Sequence, residues 1–336
     1  MVALVIGSLA AIIMLQVFAL SEERKRTATS GGDAQSNGVI AFYQLQRDIS
    51  QGGYGFSATS LFNCSTVWPV ASGSNIATPI RLAPVTINPG AAIIPAGDAN
   101  TDTLLVMYGN NNGQPQGNLI LAQSGTNNTV QMPTSFAIGD RVIAGPATCT
   151  ANLVLDRVTA TTASTVTVAT GGAGNTLFNL GPAPSILAYA VRNGALTVCD
   201  YLVNDCGIAA DKDKPSIWVP LAYNIVSMRA VYLRDTSAPM NGIEAGEPHD
   251  QTTPTTGCGW ARVPAVNLAL VARSGQFNKD VVTAAAPDWS DNPNAPIGGA
   301  GGALATDASW KNYRYKVFES VIFLRNVGWM GVQTGC

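Results

Sequence analysis

Residues 1–26 read MVALVIGSLAAIIMLQVFALSEERKR, and this stretch decides how the rest of the chain is organised. From Val2 to Leu20 only Gly7, Ser8 and Gln16 interrupt an apolar run. No Lys or Arg precedes it, and the first cations, Arg24, Lys25 and Arg26, follow it beside Glu22 and Glu23. At about 1.5 Å per residue a helix of this length spans roughly 28 Å, close to the hydrocarbon thickness of a bilayer. A secretory signal peptide has a basic start, a shorter apolar run and a small-x-small cleavage site; this segment has none of these. As a plain anchor it meets a different conflict. The trailing cations favour the cytoplasm, whereas the even set of six cysteines (Cys64, Cys149, Cys199, Cys206, Cys258 and Cys336) points to an oxidising compartment.

Helical spacing continues beyond the apolar run. The segment 21–53 is polar at first, then recovers a stripe at Val39, Phe42, Leu45 and Ile49 before Gly52, Gly53 and Gly55 end it. The expectation is a single helix of about fifty residues. Its first part, 1–20, would face lipid or other helices through Val2, Leu4, Val5, Leu9, Ile12, Ile13, Val17 and Phe18. Its second part, 21–53, would be amphipathic and pack on a globular domain through Val39, Phe42, Leu45 and Ile49. Gly31 and Gly32 are candidate points for a bend.

Beyond residue 54 the balance shifts to Ala, Gly, Thr, Asn and Val, which favours strands and turns. Short β-prone runs bounded by Gly, Pro or Asn occur at 80–87, 102–109, 140–145 and 164–170. In ILAYAVRNGALTVCDYL (186–202), Asn193-Gly194 suits the positive φ values of a tight turn, so this is read as a hairpin. Later strands are read at 224–235, 265–273 and 313–326. The stretches 236–259 and 286–309 are rich in Pro, Gly and small polar residues and read as long loops. The fold class expected is α+β: a long N-terminal helix packed on a β-rich, mainly antiparallel domain spanning 54–336.

Catalytic chemistry finds little support. The one histidine, His249, sits in a turn-rich loop and reads as solvated. No nucleophile elbow, P-loop or zincin helix is present. Asp211 and Asp213 lack the glycine and distal glutamate of a calcium loop, and the closest cysteines, Cys199 and Cys206, are seven apart. GGAGN (171–175) and GGAGG (298–302) open no helix. With 19 Lys+Arg against 21 Asp+Glu, no basic surface for nucleic acid is expected. Neither a metal nor a cofactor is expected. Cys199 and Cys206 flank a short polar turn and form the first candidate disulfide, and Cys258 is one candidate partner for Cys336.

At this point the chain resembles a family. MVALVIGSLAAIIMLQVF is similar to the N-terminal helix of type IV pilins and of type II secretion pseudopilins. RDISQGGYGF (47–56), GDRVIAG (139–145), YAVRNGALTV (189–198) and YRYKVFESVIFLRN (313–326) resemble PilW-type minor pilins, which are similar to GspJ-type pseudopilins. The resemblance implies a non-enzymatic subunit of a pilus priming or tip complex. Its partners would be other minor pilins, the major pilin and a PilY-type tip adhesin. It would be held in the inner membrane with an extracytoplasmic domain before joining a cell-surface pilus for motility or attachment. A pseudopilin of a type II secretion tip is the alternative, and an anchored carbohydrate-binding or hydrolytic domain is a third reading, for which the six tryptophans could supply stacking surfaces. The family pattern also has a basic leader and a glutamate upstream of such a helix. The expectation is therefore a precursor that starts earlier and is cut by a prepilin peptidase, with the leader resolving the orientation conflict.

Overall fold

The computed structural model describes residues 2–68, 76, 78–111, 113–242, 249–289, 304 and 307–336. Helix α1 runs unbroken from Val2 to Gln51. The glycines after it stop it: Gly53 and Gly55 both adopt a φ of +86°, a conformation costly for any residue with a Cβ.

Strands β1 (Ser65–Val67), β2 (Ile80–Arg81), β3 (Val85–Ile87) and β4 (Thr103–Tyr108) follow. The run expected as one strand at 80–87 is thus two short ones; Pro84 lies in the break and has no N–H to continue a ladder. Strands β5 (Asn118–Ser124), β6 (Asn127–Val130), β7 (Arg141–Gly145), β8 (Leu153–Val154), β9 (Asp156–Thr161), β10 (Thr165–Val168) and β11 (Thr176–Gly181) come next. They precede β12 (Ser185–Arg192), β13 (Ala195–Asp200), β14 (Val219–Tyr223), β15 (Ile225–Leu233) and β16 (His249–Asp250). The chain ends with α2 (Gly257–Ala261), β17 (Ala265–Arg273), β18 (Tyr315–Phe323) and α3 (Arg325–Gly328).

Two antiparallel sheets form the body. One has the order β14-β13-β12-β4-β3 and the other β16-β15-β17-β18. Every residue of β4 is buried, in keeping with its continuous apolar sequence TLLVMY. The β12–β13 turn takes the expected form: Asn193 and Gly194 have φ of +51° and +70°, and Asp98 accepts from both of their amides at 2.9 Å. The two sheets are stitched together by buried polar contacts. Asp102 accepts from Arg229 and from the Ala230 amide, each at 2.9 Å, and the Tyr232 hydroxyl accepts from the Ile87 amide at 2.7 Å.

Between β4 and β12, which pair directly with Tyr108 opposite Ser185, the chain leaves the sheet to build a closed barrel in the order β10-β6-β5-β11-β7-β9. The barrel has its own small core of Val130, Phe136, Val142, Val158, Val166, Val168 and Leu177. A three-stranded sheet, β2-β1-β8, bridges the barrel to the body, and its β1–β8 pair is parallel.

The two expected long loops carry some structure. Within 236–259, His249 pairs opposite Leu233 in β16 and is half-buried, so it is not a solvated loop residue. Asp250 beside it binds Arg234 at 2.8 Å, which fixes the strand. Most of 286–309, including the glycine-rich 298–302, lies outside the described residues.

Candidate functional site

Two halves of α1 with opposite surroundings define the site. In the first half the side chains from Ile6 to Phe18 are described, and all of them are exposed. Leu9, Ile12, Ile13, Val17 and Phe18 show between 52 and 77% of their surface, as do Ile6, Met14 and Leu15 within the same range. Val2, Leu4 and Val5 belong to the same helix, but their side chains lie outside the described residues. An apolar surface on all sides of a helix is unfavourable in contact with water. Among the described residues, no helix is long and apolar enough to cross a membrane.

The second half is buried along Ala34, Gly38, Ala41, Leu45, Asp48 and Ile49. Leu45 and Ile49 join the main core, and Phe42 packs at its edge, its ring 6.3 Å from that of Phe318. Val39 does not belong to this face: it is 49% exposed. Successive helical residues advance by about 100°, which puts Val39 roughly 120° around the helix from Leu45, while Ala34, Gly38 and Ala41 stay within about 40° of it. The expected stripe used two steps of three in succession and drifted off the face. Small residues take its place because β18 comes close. A Cβ at Gly38 would lie 2.0 Å from the Phe318 ring.

Asp48 is the residue that sequence reasoning missed. It sits wholly buried in the apolar stripe, one turn from Leu45. The Tyr108 hydroxyl donates to its Oδ1 at 2.9 Å, and the Tyr189 hydroxyl donates to its Oδ2. Gln44 donates at 2.7 Å from the preceding turn, and Arg47 makes an ion pair at 3.1 Å. A carboxylate taken out of water survives only with such donors. Burial, reinforced by the Asp48 charge, pushes the Tyr108 hydroxyl up to about 12 and the Tyr189 hydroxyl higher still. The signal available in the sequence was a lone acid between Leu45 and Ile49 on an otherwise apolar face. Near the helix end, the Asn326 amide donates to the Gln51 carbonyl at 2.9 Å, tying α3 to α1.

All six cysteines are paired. Cys199–Cys206 and Cys258–Cys336 are the pairs named as candidates, and Cys64–Cys149 joins the start of the body to the segment between β7 and β8. The C-terminal Cys336 is held further by Arg262, which donates to its carbonyl at 2.6 and 3.0 Å. Of the tryptophans, Trp68, Trp218, Trp260 and Trp289 are buried, whereas Trp329 is exposed. Asp211 and Asp213 lie in a surface turn, each paired with a lysine. Among the described residues no group of three or more His, Cys, Asp or Glu could hold a metal ion.

A model of the family described as Type IV Pilus-assembly protein W, PilW, matches residues 189–326. This region starts within β12 and ends in α3; it takes in the β16-β15-β17-β18 sheet and strands β12 to β14 of the other, and leaves out β3, β4 and the barrel. Residues 189–326 thus resemble the PilW family, whose description names type IV pilus assembly and suggests a structural protein. No curated protein matches it. Among solved structures, a type IV-like pilin from Thermus thermophilus aligns at a TM-score of 0.34 and 10% identity, over 87% of this chain and 97% of that one.

Proposed function

We propose that the chain is a minor pilin that takes part in type IV pilus assembly within the priming or tip complex. One observation carries the reading: a single continuous helix is apolar and exposed over Ile6–Phe18 and buried on a disulfide-bonded domain from Ala34 onward. The first half rests in the inner membrane before assembly and among the helices of other minor pilins and the major pilin afterwards, so the same apolar surface is covered in both settings. The second half holds the extracytoplasmic domain at a set angle to that bundle. A PilY-type tip adhesin is a further partner.

The test uses the full chain in cells that assemble pili. Sheared filaments contain the wild-type chain at low abundance relative to the major pilin. The double variant Leu9→Asp, Ile13→Asp is missing from them, because charges in the helix bundle carry a large desolvation cost. Filaments rich in major pilin but devoid of the wild-type chain would overturn the reading.

A further inference from the structure

Two segments of the domain, 277–283 and 310–316, meet α1 nearest to its apolar half. Of the described positions on α1, Gly31 is the first that is not exposed, and Gly31 and Gln35 share a groove with Thr283, Arg314 and Lys316. The two segments are locked to each other. The Val282 and Thr283 amides donate to the Lys311 carbonyl at 2.9 and 3.0 Å. The Asn312 side chain donates to the carbonyls of Asn278, Lys279 and Asp280 at 2.9 to 3.3 Å, which holds the 278–280 turn in one shape.

This foot displays apolar tips among cations. Phe277 and Val281 are 54 and 62% exposed and bracket Lys279. The Phe277 ring stands edge-on to Tyr313 with centroids 5.6 Å apart, and Lys311 Nζ lies 5.5 Å from the Trp310 ring centroid. Lys279, Lys311 and Lys316 are exposed, and none of the three forms an ion pair among the described residues. Within the two segments Lys279, Lys311, Arg314 and Lys316 stand against the one acid Asp280, on a chain whose formal net charge is -2. Asp307 nearby is paired with Arg273 at 3.3 Å. Single exposed apolar side chains are ordinary on a surface. Aromatic and aliphatic tips set among lysines, beside an apolar helix, are the composition suited to a lipid headgroup layer.

The height is suitable. Gly31 lies eleven residues past Leu20, about 16 Å along the helix. Headgroups extend about 5–7 Å beyond the hydrocarbon, and a charged surface acts over a further Debye length of about 8–10 Å. We propose that 277–283 and 310–316 form a foot that rests on an anionic phospholipid surface while the subunit is in the membrane, which rests on the placement of Ile6–Phe18 in a bilayer given above. Lys279, Lys311 and Lys316 face lipid phosphates, and Phe277 and Val281 enter the headgroup layer. The contact sets the tilt of the domain before assembly and is given up when the helix leaves the bilayer.

Methyl NMR on the full chain in lipid nanodiscs tests this, with a trace of lipid carrying a gadolinium chelate on its headgroup. One set of discs is phosphatidylcholine alone and the other contains equal parts of phosphatidylglycerol. Val332 is the reference, because α3 is tied to Gln51, twenty residues and about 30 Å further along the helix than Gly31. The Val281 methyls broaden about threefold more in the anionic discs than in the neutral ones, and the excess disappears at about 1 M salt, where the Debye length is about 3 Å. Val332 stays sharp in both. The triple variant Lys279→Gln, Lys311→Gln, Lys316→Gln keeps a dispersed spectrum, since all three side chains are exposed, and loses the excess. Sharp Val281 methyls in anionic discs that retain the chain would overturn the inference, as would equal broadening in the two lipids or in the triple variant. Protection of Val281 in sheared filaments but not in discs would assign the foot to a neighbouring subunit instead. A chain that the discs fail to retain would overturn the placement of Ile6–Phe18 itself, and the foot with it.

Discussion

The hydroxyl of Tyr108, at the end of the inner strand β4, donates to the buried carboxylate of Asp48 on α1 at 2.9 Å. With Tyr189 of β12 on the other oxygen, this contact fixes where the helix sits on the sheet. Apolar packing alone leaves a helix free to slide or rotate by a residue; a carboxylate with two directed donors does not.

Asp48→Ala should destabilise the domain by about 2–4 kcal/mol, since two buried hydroxyls lose their acceptor. Asp48→Asn should cost less, because its carbonyl oxygen still accepts from one tyrosine. Denaturant titration of the full chain gives both values. An unchanged midpoint for Asp48→Ala would refute the role of Asp48 as the pin.

The helix register has a direct test in a pair of truncations. Leu45→Ala removes a fully buried side chain and should cost about 2–5 kcal/mol. Val39→Ala, on the exposed face, should stay within about 0.5 kcal/mol of the parent. Comparable losses at both positions would mean that the buried face has been placed wrongly.

Alkaline pH should loosen the same contact. The Tyr108 hydroxyl titrates at about 12 in the folded protein against 10 ordinarily, chiefly because it is buried and also because Asp48 is beside it. A group whose folded value is raised contributes fully below its unfolded value and loses that contribution as pH climbs through the folded one. Stability should therefore fall between pH 10 and about 12, more steeply in the wild-type chain than in Tyr108→Phe. Parallel pH curves for the two proteins would count against it.

The disulfides should differ in worth. Cys258–Cys336 closes a separation of 78 residues and Cys199–Cys206 one of seven. Loop entropy then gives the long link about 2 kcal/mol more stabilisation than the short one. The double alanine variants, compared by denaturant midpoint, provide the measurement. A larger loss from the short link would show that strain or residual structure dominates over loop closure.

What the sequence determined by itself is local in origin. The length of α1, its apolar start, its end at the glycines and the Asn193-Gly194 hairpin all follow from spacing and backbone preference within a few residues. Runs such as 102–109 and 265–273 likewise announce buried strands through composition alone. The tertiary structure decided the rest. Two of the barrel's strands, β7 and β10, were legible in the sequence, but nothing local says that β10 pairs with both β6 and β9 to close a cylinder. The Cys64–Cys149 link spans 85 residues, and its pairing depends on how the barrel returns to the body. Val39 and Asp48 show the same limit on one helix. A valine and an aspartate have fixed hydropathies, yet the approach of β18, β4 and β12 exposes the valine and buries the acid. Burial is a property of the surfaces brought together, and those surfaces come from distant parts of the chain.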